Sequence, residues 1–234
     1  APGATYYASV RYLNSDGPYD ESATLLGKPV GAADPTKPGA NDMRDQFMAS
    51  ATLNLLPTDK IRLRLSTNYS YTDHNTIENN NNIYGTTSLI QMGKPEHSTE
   101  NNATGSIAFA TARETTYRSQ NNEGDNTTIS LQASYKVTDG LNLSGTFGMN
   151  STLNKSTSLT PFGYNVDGKM AYATAGALFK NKNDRKVYTA DIKADYAGTA
   201  GVISHESVVG FQTFQTVYKS MNGGGQQFPG PGLQ

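Results

Sequence analysis

The sequence predicts an all-β chain, an antiparallel up-and-down meander of about seven long strands. Three observations carry that expectation. Apolar and polar residues alternate over stretches of ten residues or so, the two-residue period of a strand with one apolar and one polar face. Tight turns and long polar connections then alternate strictly along the chain. Finally, the most regular stretch, Lys60 to Tyr71, runs about twelve residues, whereas strands of soluble domains cluster near 5–6.

The elements follow in order. TYYASVRYL sets Tyr6, Ala8, Val10 and Tyr12 against Tyr7, Ser9 and Arg11. DQFMASATLNLL sets Phe47, Ala49, Ala51, Leu53 and Leu55 against Met48, Ser50, Thr52 and Asn54. The third stretch sets Ile61, Leu63, Leu65, Thr67, Tyr69 and Tyr71 against Arg62, Arg64, Ser66, Asn68 and Ser70. TTISLQASYKV sets Ile129, Leu131, Ala133, Tyr135 and Val137 against Ser130, Gln132, Ser134 and Lys136. LNLSGTFGMN sets Leu141, Leu143, Gly145, Phe147 and Met149 against Asn142, Ser144, Thr146 and Asn150. VYTADIKADYA sets Tyr188, Ala190, Ile192, Ala194 and Tyr196 against Thr189, Asp191, Lys193 and Asp195. The seventh, VISHESVVGFQTFQTVYK, reads as extended, but the adjacent Val208 and Val209 leave its faces unassigned, and Gly210 suggests a bulge.

PTD, TDG and GTAG join strands two to three, four to five and six to seven, all with turn residues. Residues 15–44, 73–124 and 151–186 make the other connections. In an antiparallel meander every second connection leaves by the same end, so the long ones share one rim. Three such loops count against a compact soluble domain. They suit a transmembrane β-barrel, with long outer loops, short periplasmic turns, and strands apolar toward lipid and polar toward the lumen. A membrane-crossing strand needs about 9–11 tilted residues, which accounts for the unusual length.

Ring residues fit the same picture. With the long loops outside, Tyr12, Phe47, Tyr69, Tyr71, Phe147 and Tyr188 lie at outer strand ends and Tyr6, Tyr135 and Tyr196 at inner ends. That is the distribution of two membrane-interface girdles. DHNTIENNNN at 73–82 reads as turn-like, residues 83–96 as holding a short helix before Gly93, and GGGQQFPGPG at 223–232 as an aperiodic loop.

Totals bound the function. The 234 residues are only 35% apolar, with a mean hydropathy of −0.57. A wet-bored barrel and a core-poor soluble chain share those averages, so the pattern decides. Nineteen basic and twenty acidic residues show no basic stripe, which speaks against nucleic acid as a partner. With no cysteine there is no disulfide, thiolate zinc or iron–sulfur site. No apolar run reaches the ~18 residues of a membrane helix. The opening APGATYYASV has neither a basic nor an apolar leader region.

Catalytic motifs are not in evidence. His74, His97 and His205 lack paired metal spacing. The carboxylates of PYDESA and NDMRD read as solvated loop residues rather than a calcium ladder. His205 and Glu206 are neighbours on a strand, so they face opposite ways and form no triad. N-x-S/T sequons at Asn102, Asn126 and Asn154 are expected by chance in so Asn/Ser/Thr-rich a chain. No enzyme, metal or cofactor is expected. The better candidates are the lumen-facing Arg11, Arg62, Arg64, Asn68, Gln132, Lys136 and Lys193.

YYASVRYLNSDG, MRDQFMASATLNLLPTDKIRLRLSTNYS, IYGTTSLIQMGKPE and FGMNSTLNKSTSLTPFG resemble barrel segments of TonB-dependent outer-membrane receptors, including the SusC-like group. The resemblance covers most of the chain through loose strand textures. It implies a 22-stranded barrel with a plug domain in its lumen, set in outer-membrane lipid. It also implies a TonB-type energy-coupling protein, a surface lipoprotein lid in the SusC-like group, and a small-molecule or oligosaccharide ligand. On this reading residues 1–234 are one partial barrel domain from the middle of a longer chain, lacking plug and N-terminal segment and stopping within an outer loop. The function expected is active import of a scarce nutrient across the bacterial outer membrane, such as an iron chelate or an oligosaccharide. The alternatives are a passive porin-like channel and, further off, a soluble β-sandwich adhesin or sugar-binding module.

Overall fold

A computed structural model describes residues 2–16, 43–77, 119–160 and 176–230. They form seven strands: β1 Gly3–Asp16, β2 Met43–Thr58, β3 Ile61–Ile77, β4 Ser119–Lys136, β5 Leu141–Thr160, β6 Ala177–Ala200 and β7 Ile203–Gln226. They lie in one sheet in the order β1-β2-β3-β4-β5-β6-β7, each antiparallel to the next. The expected meander is therefore the observed architecture. Among the described residues there is no helix, and Ala177 is the one buried hydrophobic. Large apolar side chains such as Leu65, Leu131, Phe147 and Ile192 instead stand 42–52% exposed on one face of the sheet.

Each strand outruns its alternating core. β3 continues to Ile77, so residues 73–77 are strand rather than turn, and β7 continues through Gly223, Gly224 and Gly225 to Gln226. The reason is pairing: Asp73 to Ile77 bond across to Ser119–Glu123, and Gly223 to Gln226 to Ala177–Lys180. A ladder formed by backbone groups needs no apolar side chain, so polar and glycine runs extend it. The connections on that side shorten accordingly to residues 17–42, 78–118 and 161–176. The stretch 83–96, His97 and Asn102 lie outside the described residues.

Gly210 is not a bulge. β6 and β7 pair without a register shift from Ala177↔Gln226 to Ala200↔Ile203, and Gly210 sits opposite Lys193. The irregularity lies instead between Leu55 and Thr58, beside Pro57, which has no amide proton to give the ladder.

Two of the short turns share one device. Thr58 Oγ1 accepts from the amides of Lys60 at 3.3 Å and Ile61 at 3.2 Å. Thr138 Oγ1 accepts from Gly140 at 3.3 Å and Leu141 at 3.0 Å. A threonine hydroxyl thus satisfies the amides that reverse the chain. The third turn uses glycine: Gly201 at φ +65° begins the two-residue link between Ala200 and Ile203, while Val202 keeps negative φ. That combination is the type II′ pattern, whose twist matches the strands it joins.

Candidate functional site

Cross-strand partners share a face, so the register sorts every strand residue. Tyr6, Leu53, Leu65, Leu131, Phe147 and Ala190 form one row across β1–β6. Neighbouring rows of the same face hold Leu55, Leu63, Ala133, Gly145 and Ile192 below, and Ala51, Thr67, Ile129, Met149 and Tyr188 above. The other face carries Ser9, Ser50, Asn68, Thr128 and Asn150 in one row and Thr5, Asn54, Arg64, Gln132, Thr146 and Asp191 in another.

Pairing with β6 also assigns β7. Val209, Phe211 and Val217 continue the apolar face opposite Ala194, Ile192 and Lys186. Val208, Phe214 and Tyr218 stand on the polar face opposite Asp195, Thr189 and Arg185. Apolar residues on both faces explain why periodicity alone left this strand open.

All seven polar candidates occupy the polar face, in two groups. Arg62 and Lys193 share a row with Ser134 and Ser144, Arg64 and Gln132 lie one row away, and Lys136 one row beyond Arg62. Arg62, Arg64, Gln132, Ser144 and Lys193 line a common depression near the short-turn rim. Arg11 and Asn68 are separate, lining a second depression with Ser9, Ser50 and Asn126. In the first depression Ser144 Oγ is buried without a hydrogen-bond partner among the described residues.

The charges at that rim are partly paired. Lys136 Nζ lies 2.8 Å from Asp139, and Lys193 Nζ 3.6 Å from Asp195. The hydrogen bond from Lys136, with its charge, holds the Asp139 carboxyl below the ordinary aspartate value. No ion pair to Arg62 or Arg64 is found among the described residues.

A hydrogen-bonded ladder, not singled out by the alternation, crosses the polar face further up. Asn150 Nδ2 donates to Thr128 Oγ1 at 2.9 Å and to Asn126 Oδ1 at 3.2 Å, and Thr152 Oγ1 donates to Asn150 Oδ1 at 3.3 Å. Ser9 and Ser50 hydroxyls meet at 2.7 Å. Long runs of Asn, Ser and Thr on one parity were the signal that could have located it. Such a surface can hydrate a bore or hydrogen-bond a polar ligand. Among the described residues no group of three His, Asp or Glu side chains is placed to hold a metal.

The nine girdle candidates all lie on the apolar face, with Tyr12, Phe47 and Tyr71 in one row. Phe47 and Tyr69 rings sit 6.1 Å apart, and Tyr196 lies 5.3 Å from the His205 ring. Above them the same face becomes charged. Asp45, Asp73, Glu123, Lys155 and Lys182 form a row, with Asp125, Asp184 and Lys219 in the row beneath.

No protein-family model and no curated protein matches the chain. Among solved structures it is similar to a chain of the RagAB peptide importer in its closed-closed state. The TM-score is 0.69 at 11% identity, over 99% of this chain. The match takes in 25% of the importer chain, so this sheet spans about a quarter of that protein's length. At that identity the likeness is one of fold.

Proposed function

We propose that this chain forms part of the wall of a bacterial outer-membrane β-barrel that actively imports a nutrient, in the manner of TonB-dependent transporters. One observation carries the reading. A seven-stranded sheet holds a continuous apolar band on one face and a polar ladder on the other, with no second layer among the described residues on either. In water the band would have to be covered by a packed layer. In a membrane barrel lipid covers it.

The strand stagger supports the same reading. Ile61, which closes the first hairpin, shares a row with Ala194 on β6, yet the last hairpin closes at Ala200, six residues further on (200 − 194). The midlines of these hairpins are four strands apart. At about 3.3 Å per residue and about 4.8 Å per strand, the offsets are about 20 Å along and about 19 Å across. If the turns share one rim, the strands tilt by about 45°, the upper end of the barrel range.

That tilt also sorts the rings. Tyr6 and Phe147 share a row, yet four strands of lateral offset raise Phe147 by about 14 Å. On the same arithmetic Tyr6, Tyr135 and Tyr196 fall within about 3 Å of one level. Tyr12, Phe47, Tyr69, Tyr71, Phe147 and Tyr188 lie about 14–22 Å above it. We assign these two sets to the two membrane interfaces.

Active import rather than passive flow is favoured by the likeness to an importer and by the receptor-like strand textures. In this reading Arg62, Arg64, Gln132, Lys136 and Lys193 face a plug domain at the inner end of the bore. The Asn150 ladder faces the route of a small-molecule, peptide or oligosaccharide ligand. Both sheet edges continue into further strands of the same barrel, because open edges are not tolerated in hydrocarbon. A TonB-type coupling protein supplies the energy, a surface lipoprotein lid covers the outer mouth, and no catalysis occurs.

The test is uptake by cells carrying the full-length protein, before and after the energy-coupling protein is deleted. Loss of accumulation against a gradient supports import. Unchanged equilibration down the gradient would identify a passive channel instead.

A further inference from the structure

The charged shelf above the upper ring residues is unevenly satisfied. Over β2–β4 its carboxylates all have partners. Asp45 Oδ1 accepts from Tyr12 at 3.1 Å and Asn14 at 2.6 Å, and Asp125 Oδ1 from Tyr69 at 2.9 Å. Asp73 accepts from Asn121 at 2.7 Å, and Glu123 pairs with Lys155 at 2.7 Å. Over β6–β7 the ammonium groups of Lys180, Lys182, Lys186 and Lys219 have no hydrogen bond or ion pair among the described residues. Lys182 and Lys219 are exposed, and Lys186 is half-buried.

These lysines also crowd like charges. Lys182 lies directly across from Lys155, an arrangement that destabilises a sheet pair. Lys219 is opposite Asp184, which separates Lys182 from Lys186 along β6. Counting these side chains, Lys155 with Glu123 and Asp184 with one lysine, leaves an excess of positive charge on the apolar-face side. By the tilt above, Lys186 stands about 5 Å and Lys182 and Lys219 about 13–14 Å above Tyr188, the highest of the girdle candidates. Long lysine stems reach back toward an interface from such positions.

Resting on the membrane-barrel reading, we propose that Lys182, Lys186 and Lys219 form a docking site for the phosphorylated headgroup of an outer-leaflet lipid. Charge complementarity selects the occupant: point-like ammonium groups on the lipid-facing side, at headgroup depth, outnumbering the single neighbouring carboxylate, Asp184, and without an ion pair among the described residues. A phosphate set between Lys182 and Lys219 also screens the Lys155–Lys182 repulsion. The acidic half of the shelf, already saturated by its own donors, offers no such site.

The test uses the full-length protein in mild detergent, as wild type and as K182Q/K186Q/K219Q. Each is titrated with a short-chain lipid bearing a phosphomonoester headgroup, with the same lipid lacking the phosphate, and with inorganic phosphate. The phosphorylated lipid is expected to bind most tightly, and the triple variant to bind it about a hundredfold more weakly. Equal affinity of wild type and variant would overturn the site. Inorganic phosphate binding as tightly as the lipid would overturn the lipid as its source. A parallel arm places a fluorophore at Ile192→Cys in vesicles with chain-nitroxide lipid. Quenching there alongside unchanged headgroup affinity sinks only this inference, whereas absent quenching sinks the barrel reading beneath it.

Discussion

At the scale of single residues, the tightest glycine position lies at a short turn. A Cβ on Gly140 would press into the Ala197 carbonyl oxygen, whereas one on Gly3 would meet nothing within 4 Å. Gly140→Ala is therefore expected to destabilise the folded protein by about 1–3 kcal/mol, the usual cost of overpacking. Gly3→Ala should stay within about 0.5 kcal/mol of wild type. Urea unfolding of the full-length protein in lipid vesicles measures both, and equal midpoints for the two variants would contradict the turn geometry. Asp139 gives a pH prediction. Its carboxyl is held low by Lys136, so the pairing contributes above the ordinary aspartate range and is lost as pH falls through the depressed folded value. Carbon-detected NMR should find Asp139 titrating below a free aspartate, and Lys136→Ala should return it to the usual range.

At the scale of elements, a strand is defined by two faces with different solvents. Leu65 and Ser66 are neighbours on β3 with opposite partners, Leu53 and Leu131 on one side, Thr52 and Ser130 on the other. Leu65→Arg is expected to cost about 2–4 kcal/mol of stability in lipid vesicles, the penalty for arginine at mid-bilayer on a barrel's outer face. Ser66→Arg should cost far less, because on the barrel reading its face is wet. Folding titrations of the full-length protein into vesicles read the difference, and equal costs would mean the faces are misassigned. β3 was legible in the sequence because every second residue from Ile61 to Leu65 is aliphatic and every one between is polar. β7 was not, because Val208 and Phe214 fall on the polar face. Its own pattern carried no face, and only the bonds to β6 supplied one.

At the scale of the whole molecule, the described strands make a single layer with two open edges. Among the described residues β1 and β7 each pair on one side only, and just one hydrophobic is buried. Exposed ladder edges invite association in water. Residues 1–234 expressed alone are therefore expected to form no stable monomer. Analytical ultracentrifugation with thermal melts checks this: a monodisperse species with a sharp reversible transition would refute the barrel-wall reading.

Local chemistry was enough to determine that the chain is a meander of about seven strands, which side of six of them is apolar, and where the tight turns fall. Side-chain alternation and turn residues act within a few positions of each other, so one sequence displays them. Tertiary pairing decided the rest: how far polar strands such as Asp73–Ile77 continue, the faces of β7, and which of the lysines find partners. It also brought Arg62, Arg64, Gln132, Lys136 and Lys193 together while leaving Arg11 and Asn68 apart. Those outcomes depend on backbone hydrogen bonds and stagger between segments far apart in the chain, and the order of side chains along one strand carries no record of the register its neighbour adopts.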